Sequence, residues 1–193
     1  MLFLYIFPVL LFIINCIFAV YLIILLIWSK GFTISPTVSS SSKSIKVIAK
    51  YIKKYIEENK IKKIRILDIG SGYGKVLFGI ERTLNGVSKE LVGYEIANFP
   101  WKISKFFNKS NNIKFVNDNI FNLKDFKFDI VVTFILAKQQ KLFLDVYRKF
   151  PKGTIIIANS LSIPFEERDN FKLIDTVKVH YRWNIYIYEK LEK

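Results

Sequence analysis

The sequence predicts an α/β domain built on a mostly parallel sheet and preceded by one apolar helix. Between residues 63 and 159, apolar runs typical of buried strands alternate with stretches of helical periodicity. Residues 172–189 alternate apolar and polar side chains around a short turn, which is typical of an antiparallel hairpin. Residues 2–29 contain no charged side chain. Strands that alternate with helices in this order favour parallel pairing through right-handed crossovers.

The individual elements follow from the same periodicities. The predicted strands are residues 63–69, 90–96, 113–117, 128–136 and 154–159, with hairpin strands at 172–179 and 182–189. The helices between them are predicted at residues 75–85, 101–108 and 139–149. An earlier helix is indicated by isoleucines at helical spacing, namely Ile45, Ile48, Ile52 and Ile56.

The N-terminal apolar run is long enough to cross a membrane. A helix spans a bilayer with about 20 apolar residues, and residues 2–29 exceed that length. The first basic residue is Lys30, so the run lacks the basic front end of a cleaved signal peptide, and we expect a retained single-pass anchor. Basic residues follow the run and none precedes it. The positive-inside rule therefore predicts a cytoplasmic domain at the cell (inner) membrane.

Positive charge is concentrated directly after this run. The whole chain has a net charge of +14, and residues 30–65 carry ten basic and two acidic side chains. Residues 30–42, rich in serine, have the composition of a linker. Each lysine near an anionic bilayer gains on the order of 1 kcal/mol. We therefore expect these lysines to contact anionic lipid, and their position argues against nucleic acid as a partner.

The segment from Leu67 to Val76 reads L-D-I-G-S-G-Y-G-K-V and joins the first predicted strand directly to a helix. Glycines at Gly70, Gly72 and Gly74 are expected to bring backbone N–H groups and the positive helix end close to a ligand. The spacing fits neither the P-loop nor the G-x-G-x-x-G fingerprint. Twenty-one residues after Gly74, Glu95 follows the apolar run Leu91–Tyr94 near the end of the second predicted strand, where a carboxylate can accept hydrogen bonds from ribose hydroxyls.

This D-x-G-x-G-x-G pattern, with Glu95 after it, resembles the first motif of class I S-adenosylmethionine-dependent methyltransferases. The resemblance implies a Rossmann-like methyltransferase domain over residues 43–193 and S-adenosyl-L-methionine as the cofactor. It places Asp68 near the methionine amino group, Glu95 on the ribose and Asp118 on the adenine amino group. The full set of residues that it assigns to the cofactor is Asp68, Gly70, Ser71, Gly72, Gly74, Glu95, Asp118 and Asn119.

A narrower resemblance is to the membrane-anchored protein-lysine methyltransferases. Those in mitochondria modify the adenine nucleotide translocase and the ATP synthase c subunit, and small prokaryotic relatives exist. The features that carry it are the apolar run, the Gly93–Glu95 segment and the hydrophobic segment Phe134–Lys138. It implies a lysine on a membrane-associated protein as the acceptor. The candidate acceptor-pocket residues are Trp101, Thr133, Phe134 and Lys138.

The chain also departs from that family around the acceptor. The family usually has proline where Ala137 stands, and the segment Glu95–Trp101 is longer than the usual Glu-x-Asn-Pro-Trp. A lysine acceptor must be neutral to react, and neutralising it at pH 7 costs about 4–5 kcal/mol. Aromatic walls that exclude water would lower that cost. No side chain is identified as a general base.

Several other chemistries are weighed against this hypothesis. Cytosine-C5 methylation needs a cysteine in the pocket, and the single cysteine, Cys16, lies in the N-terminal run. With one histidine and one cysteine, the sequence predicts no metal site. A methyltransferase for a lipid-soluble small molecule and a non-catalytic domain of the same fold remain alternatives. RNA methylation is a third, weakened because the basic residues cluster beside the apolar run.

Overall fold

The computed structural model describes residues 2–30, 40–181 and 183–192. The chain divides into two compact units, Met1–Pro36 and Thr37–Lys193. The first contains helix α1, Leu2–Lys30. Side chains of this helix are described for residues 7–22, and over the described part of the chain no helix is both long and apolar enough to cross a membrane. The membrane-spanning segment predicted at residues 2–29 therefore coincides with helix α1, and its insertion in a membrane stays a prediction. Most of the expected linker lies outside the described residues.

The second unit contains four helices and seven strands among its described residues. Its helices are α2 (Ser42–Glu58), α3 (Lys75–Thr83), α4 (Asn98–Phe107) and α5 (Ala137–Arg148). Its strands are β1 (Lys63–Ile69), β2 (Ser88–Tyr94), β3 (Ile113–Val116), β4 (Ile130–Thr133), β5 (Ile155–Ser160), β6 (Phe171–His180) and β7 (Trp183–Lys190). Short 3₁₀ turns occupy Ile120–Asn122 and Glu167–Asp169.

The strands form one sheet in the order β3-β2-β1-β4-β5-β7-β6. Strands β1 to β5 are parallel, whereas β7 pairs antiparallel with both β5 and β6. The predicted parallel sheet with a C-terminal antiparallel hairpin is therefore confirmed. Because β1 lies between β2 and β4, its carboxyl end is at the point where the chain turns from one half of the sheet to the other. In open α/β sheets ligands bind at this point.

Each face of the sheet has its own hydrophobic cluster. Buried side chains of α2 and α3, such as Ile52 and Leu77, pack with alternate strand residues on one face, and Trp101 of α4 packs against the same cluster. Side chains of α5, including Tyr147, pack on the other face. Helices α2, α3 and α4 therefore form one layer and α5 lies in the opposite layer. Ser41 caps α2, because its Oγ accepts the Ser44 N–H at 3.0 Å.

Several element boundaries differ from the sequence prediction, and the differences at β4 and α4 have a clear physical reason. Strand β4 was expected over residues 128–136 but spans only Ile130–Thr133. It ends there because its partner β1 ends at Ile69, directly opposite Thr133. Helix α4 begins at Asn98 instead of residue 101. Proline at position 100 is compatible with the first turn of a helix, where its missing N–H group is not needed.

Candidate functional site

The glycine turn after β1 is shaped by backbone hydrogen bonds to the end of β2. The N–H groups of Gly70 and Ser71 both donate to the carbonyl oxygen of Tyr94, each at 2.9 Å. Gly70, Gly72 and Gly74 have φ values of 73°, 53° and 76°. Residues with a Cβ atom rarely adopt such positive φ values. These N–H groups are used within the protein. The N–H groups of Gly70 and Ser71 are therefore not available to a ligand, while the expected binding of a cofactor at this turn stays a prediction.

Two of the glycines are needed for different reasons. A Cβ atom on Gly74, at the start of α3, would lie 2.5 Å from the ring of Phe115, so packing excludes a side chain there. A Cβ atom on Gly70 would meet no atom within 4 Å, which means that it would project into open space. Gly74 thus closes the turn against the core, and Gly70 leaves room beside the turn for a ligand.

Glu95 is directed at the glycine turn. Its Oε2 accepts the N–H of Gly72 at 2.7 Å, and its Oε1 accepts the N–H of Ala97 at 2.8 Å. The residue is only 6% exposed. A carboxylate has about four lone-pair positions, so each oxygen keeps a further acceptor position. The two backbone donors hold the carboxylate beside the turn and in one orientation, as the binding of a diol requires.

Asp68 is the most perturbed acid near the turn. It is buried in β1, and its Oδ2 has no hydrogen-bond partner in the part of the chain that the structure describes. Burial, and secondarily the negative charge of Glu95, raises its pKa from 3.8 to about 7. The buried Ser71 Oγ also lacks a partner among the described residues. Buried polar atoms are almost always paired, so these two atoms are open to a ligand that brings hydrogen-bond donors or a positive charge.

Both atoms belong to residues that line a single cleft at the carboxyl ends of the strands. Its empty space is about 420 Å³, including the part open to solvent. The lining residues come from the glycine turn, the ends of β4 and β5, and the residue two before α2: Ser40, Asp68, Gly70, Ser71, Gly72, Tyr73, Lys75, Val76, Val132, Thr133, Phe134 and Asn159.

Of the four acceptor-pocket candidates, the cleft contains Thr133 and Phe134. The Thr133 hydroxyl lies 3.0 Å from the hydroxyl of the buried Tyr147, whose pKa is raised by burial. Phe134 faces Trp183, with 6.4 Å between ring centroids. The end of β4 thus supplies one polar and one aromatic wall.

The other two acceptor-pocket candidates are placed elsewhere. Trp101 donates its Nε1–H to the carbonyl oxygen of Phe115 at 3.2 Å and packs against the core. Lys138 is exposed in the first turn of α5. The structure gives both of them positions outside the cleft lining described above.

The loop after β3 carries the remaining cofactor candidates. Oδ1 of the exposed Asp118 accepts the Asn119 N–H at 2.7 Å and the Asn122 Nδ2–H at 2.8 Å. The Asn119 side chain caps the 3₁₀ turn that follows. Asn117, which the sequence reasoning did not assign to the site, donates its Nδ2–H to the carbonyl oxygen of Glu95 at 2.8 Å. This bond ties the loop after β3 to the residue beside the glycine turn.

Two further cleft residues were also missed. The Asn159 Nδ2–H donates to the Ser40 hydroxyl at 2.9 Å across 119 residues of sequence. Asn159 is buried, and its neighbour Ser160 has a left-handed φ of 81°; such strain is common near functional sites. An amide at the end of the apolar strand β5 is a signal that could have been used. Ser40 gave no signal, because it lies within a run of four serines.

Solved structures of the same fold are known. The chain resembles an RNA methyltransferase from Salinibacter ruber in complex with S-adenosyl-L-homocysteine, with 18% identity, a TM-score of 0.62 and coverage of 81% of this chain and 95% of that one. It also resembles the ribosomal protein L11 methylase of Lactobacillus delbrueckii subsp. bulgaricus, with 16% identity, a TM-score of 0.58 and coverage of 82% and 84%.

A third similar structure is human N-acetylserotonin methyltransferase in complex with SAM, with 13% identity, a TM-score of 0.53 and coverage of 66% and 48%. No protein-family profile matches the chain, and no curated protein matches it. At these identities the likeness concerns the fold. The strand order, the terminal hairpin and these structures together show that residues 40–192 adopt the fold of the class I methyltransferases.

Proposed function

We propose that the protein transfers a methyl group from S-adenosyl-L-methionine. The observation that carries this proposal is the unpartnered, buried Oδ2 of Asp68 beside a turn that is itself bonded to Glu95. An ammonium group would satisfy the first carboxylate, and a ribose diol would fit the free acceptor positions of the second. The cofactor, when bound, would supply an electrophilic methyl group on its sulfonium.

The chain's own residues have distinct parts in this proposal. Asp68 would pair with the amino group of the cofactor, and Gly70 would leave space for the amino-acid moiety. Glu95 would hold the ribose and Asp118 the adenine amino group. Because methyl transfer is an in-line displacement, the protein contributes mainly by aligning the two reactants and excluding water.

We infer that the acceptor is a lysine side chain of a membrane-associated protein. The support is the aromatic ring of Phe134 in the cleft lining, which contacts the ring of Trp183 and would favour the neutral amine over the ammonium form. Thr133 and Asn159 line the same cleft and offer oxygen atoms that would orient the amine. The narrower family resemblance described above points to the same class of acceptor.

We further propose that residues 2–29 anchor the chain in the cell (inner) membrane, with the domain in the cytoplasm. The support is the uncharged N-terminal run followed by lysines that would contact anionic lipid. A tether would raise the local concentration of substrates in the same bilayer. Resistance of the full chain to carbonate extraction, and protease access to its C-terminus from the cytoplasmic side only, would test this attachment.

The donor site is tested by calorimetric titration of the full chain with S-adenosylhomocysteine. We expect Gly72→Asp and Glu95→Ala each to weaken binding, the first by adding a charged side chain to the turn and the second by removing the ribose acceptor. Undiminished affinity in both variants would refute the site.

For the acceptor, isotopically labelled donor is added to native membranes that contain the protein. Label in the protein fraction supports a lysine acceptor, whereas label in lipid or RNA overturns it.

A further inference from the structure

Helix α4 carries two large apolar side chains that point away from the domain. Phe106 is 80% exposed and Phe107 is 62% exposed. Their rings contact each other edge to face, with 5.2 Å between centroids. The helix packs on the domain through Pro100 and Ser104, which are buried; Phe106 lies opposite them, and Phe107 is the last residue of the helix. Exposed aromatic pairs of this kind are costly in water and commonly mark an interaction surface.

Lysines flank this aromatic pair. Lys102 and Phe106 are four residues apart and lie on one stripe of the helix, and the exposed Lys109 follows two residues after the helix ends. Lys105 is exposed on the neighbouring stripe, with its Nζ 5.1 Å from the ring centroid of Trp101. Residues 98–109 contain no acidic side chain. Within the described part of the chain, none of these three lysines forms an ion pair.

The same helical layer carries more positive charge on α2. This helix and α4 pack against one hydrophobic cluster, so their outer faces lie on the same side of the domain. Lys43, Lys46 and Lys50 are exposed on α2 and form no ion pair with any residue that the structure describes. The two lysines that follow, Lys53 and Lys54, are paired with Glu57 and Glu58. The outer face of the layer therefore combines unpaired lysines with an exposed phenylalanine pair.

We propose that this outer face of α2 and α4 lies against an anionic lipid surface, with Phe106 and Phe107 entering the interface. Lysines that surround exposed phenylalanines are typical of helices that lie in the plane of a membrane surface. The charge is complementary to anionic headgroups, and the apolar rings match the acyl boundary beneath them. A nucleic acid would match the charge alone, because the two rings contact each other edge to face and form no flat stacking surface.

This contact is additional to the anchor proposed at residues 2–29 and does not depend on methyl transfer. It would fix which side of the domain faces the bilayer. The cleft at the strand ends would then lie at the border between the membrane-facing layer and the aqueous side. Such a placement suits an acceptor that projects only a short distance from the membrane.

The test uses the full chain with Cys16→Ser, labelled with an environment-sensitive fluorophore through Phe106→Cys. The matched control carries the label through Leu142→Cys, because Leu142 is 63% exposed on α5 in the opposite layer. Each protein is reconstituted in vesicles of phosphatidylcholine, alone or mixed with phosphatidylglycerol, that contain nitroxide-labelled acyl chains. Quenching reports contact of the label with the lipid core.

We expect blue-shifted, quenched emission at position 106 in the anionic vesicles, weaker quenching in neutral ones, and solvent-like emission at position 142. Combining Lys102→Glu with Lys109→Glu should return position 106 to solvent-like emission. Equal signals at the two positions, or quenching that appears only with added RNA or membrane protein, would overturn the proposal. Affinity for S-adenosylhomocysteine, measured on the same samples, reports separately on the proposed methyl transfer and shows that each variant is folded.

Discussion

Replacing Asp68 with asparagine should stabilise the protein without donor and weaken its donor binding. In the folded chain the pKa of Asp68 is raised from 3.8 to about 7. At pH values between 3.8 and about 7, the folded state therefore keeps a proton on Asp68 that the unfolded state has lost. Stability therefore falls as the pH rises through this window. At about 1.4 kcal/mol per pKa unit, the ionised carboxylate costs the folded state about 4 kcal/mol above pH 7. Asparagine carries no charge and avoids this cost.

Donor binding should respond in the opposite direction. A hydrogen bond to a charged partner is worth about 1.5–3 kcal/mol, so Asp68→Asn should weaken donor affinity by about 10- to 150-fold. If the ammonium group binds only the ionised carboxylate, the wild-type affinity should be about tenfold weaker at pH 6 than at pH 8. The variant should lose this pH dependence.

Urea unfolding at pH 5 and pH 8, together with calorimetric titration with S-adenosylhomocysteine, measures both effects. We expect Asp68→Asn to raise the free energy of unfolding by about 2–4 kcal/mol at pH 8 and by less at pH 5. Asp175→Asn, which changes an exposed carboxylate on β6, is the matched control and should alter neither quantity. A variant that is less stable than the wild type at pH 8, or that keeps full donor affinity, would refute the assignment of Asp68.

Two further substitution pairs separate packing from binding. Gly74→Ala should destabilise the domain by about 2–4 kcal/mol, because a Cβ atom there would meet Phe115 at 2.5 Å with φ at 76°. Gly70→Ala should cost about 1 kcal/mol of stability and mainly weaken donor binding. Equal losses of stability for the two variants in thermal melts would contradict this prediction. Asn159→Ala should raise the KM for the acceptor and leave the donor affinity unchanged. Ser40→Ala should have the same effect more weakly, because the Ser40 variant keeps the amide of Asn159 in the cleft. Steady-state kinetics that show a change in donor affinity alone would argue against a role of Asn159 in acceptor binding.

Much of the fold could be predicted because local signals agreed with one another. Strand β1 has the predicted bounds, and the glycines after it fix the turn into α3. The direction of Glu95 also followed from its place directly after β2, since neighbouring parallel strands bring their carboxyl ends together. These features depend on residues that are close in sequence or on simple strand order.

The features that were missed depend on partners distant in sequence. The end of β4 is set by the length of β1, which the sequence of β4 does not contain. The bond between Ser40 and Asn159 joins residues that only the folded chain brings together. The glycine turn was expected to bring backbone N–H groups close to a ligand, but the carbonyl oxygen of Tyr94 accepts those of Gly70 and Ser71. Glycine content indicates where a backbone can turn and leaves open what its donors bind.

The double use of the Tyr94 carbonyl has a consequence for the energetics of binding. Together with the contact between Gly72 and Glu95, it fastens the ends of β1 and β2 to each other before any small molecule arrives. A ligand that enters the cleft would meet a turn whose backbone is already fixed, so its binding would cost little backbone conformational entropy. Slow amide hydrogen exchange across this junction in the ligand-free protein would be the physical signature of such rigidity.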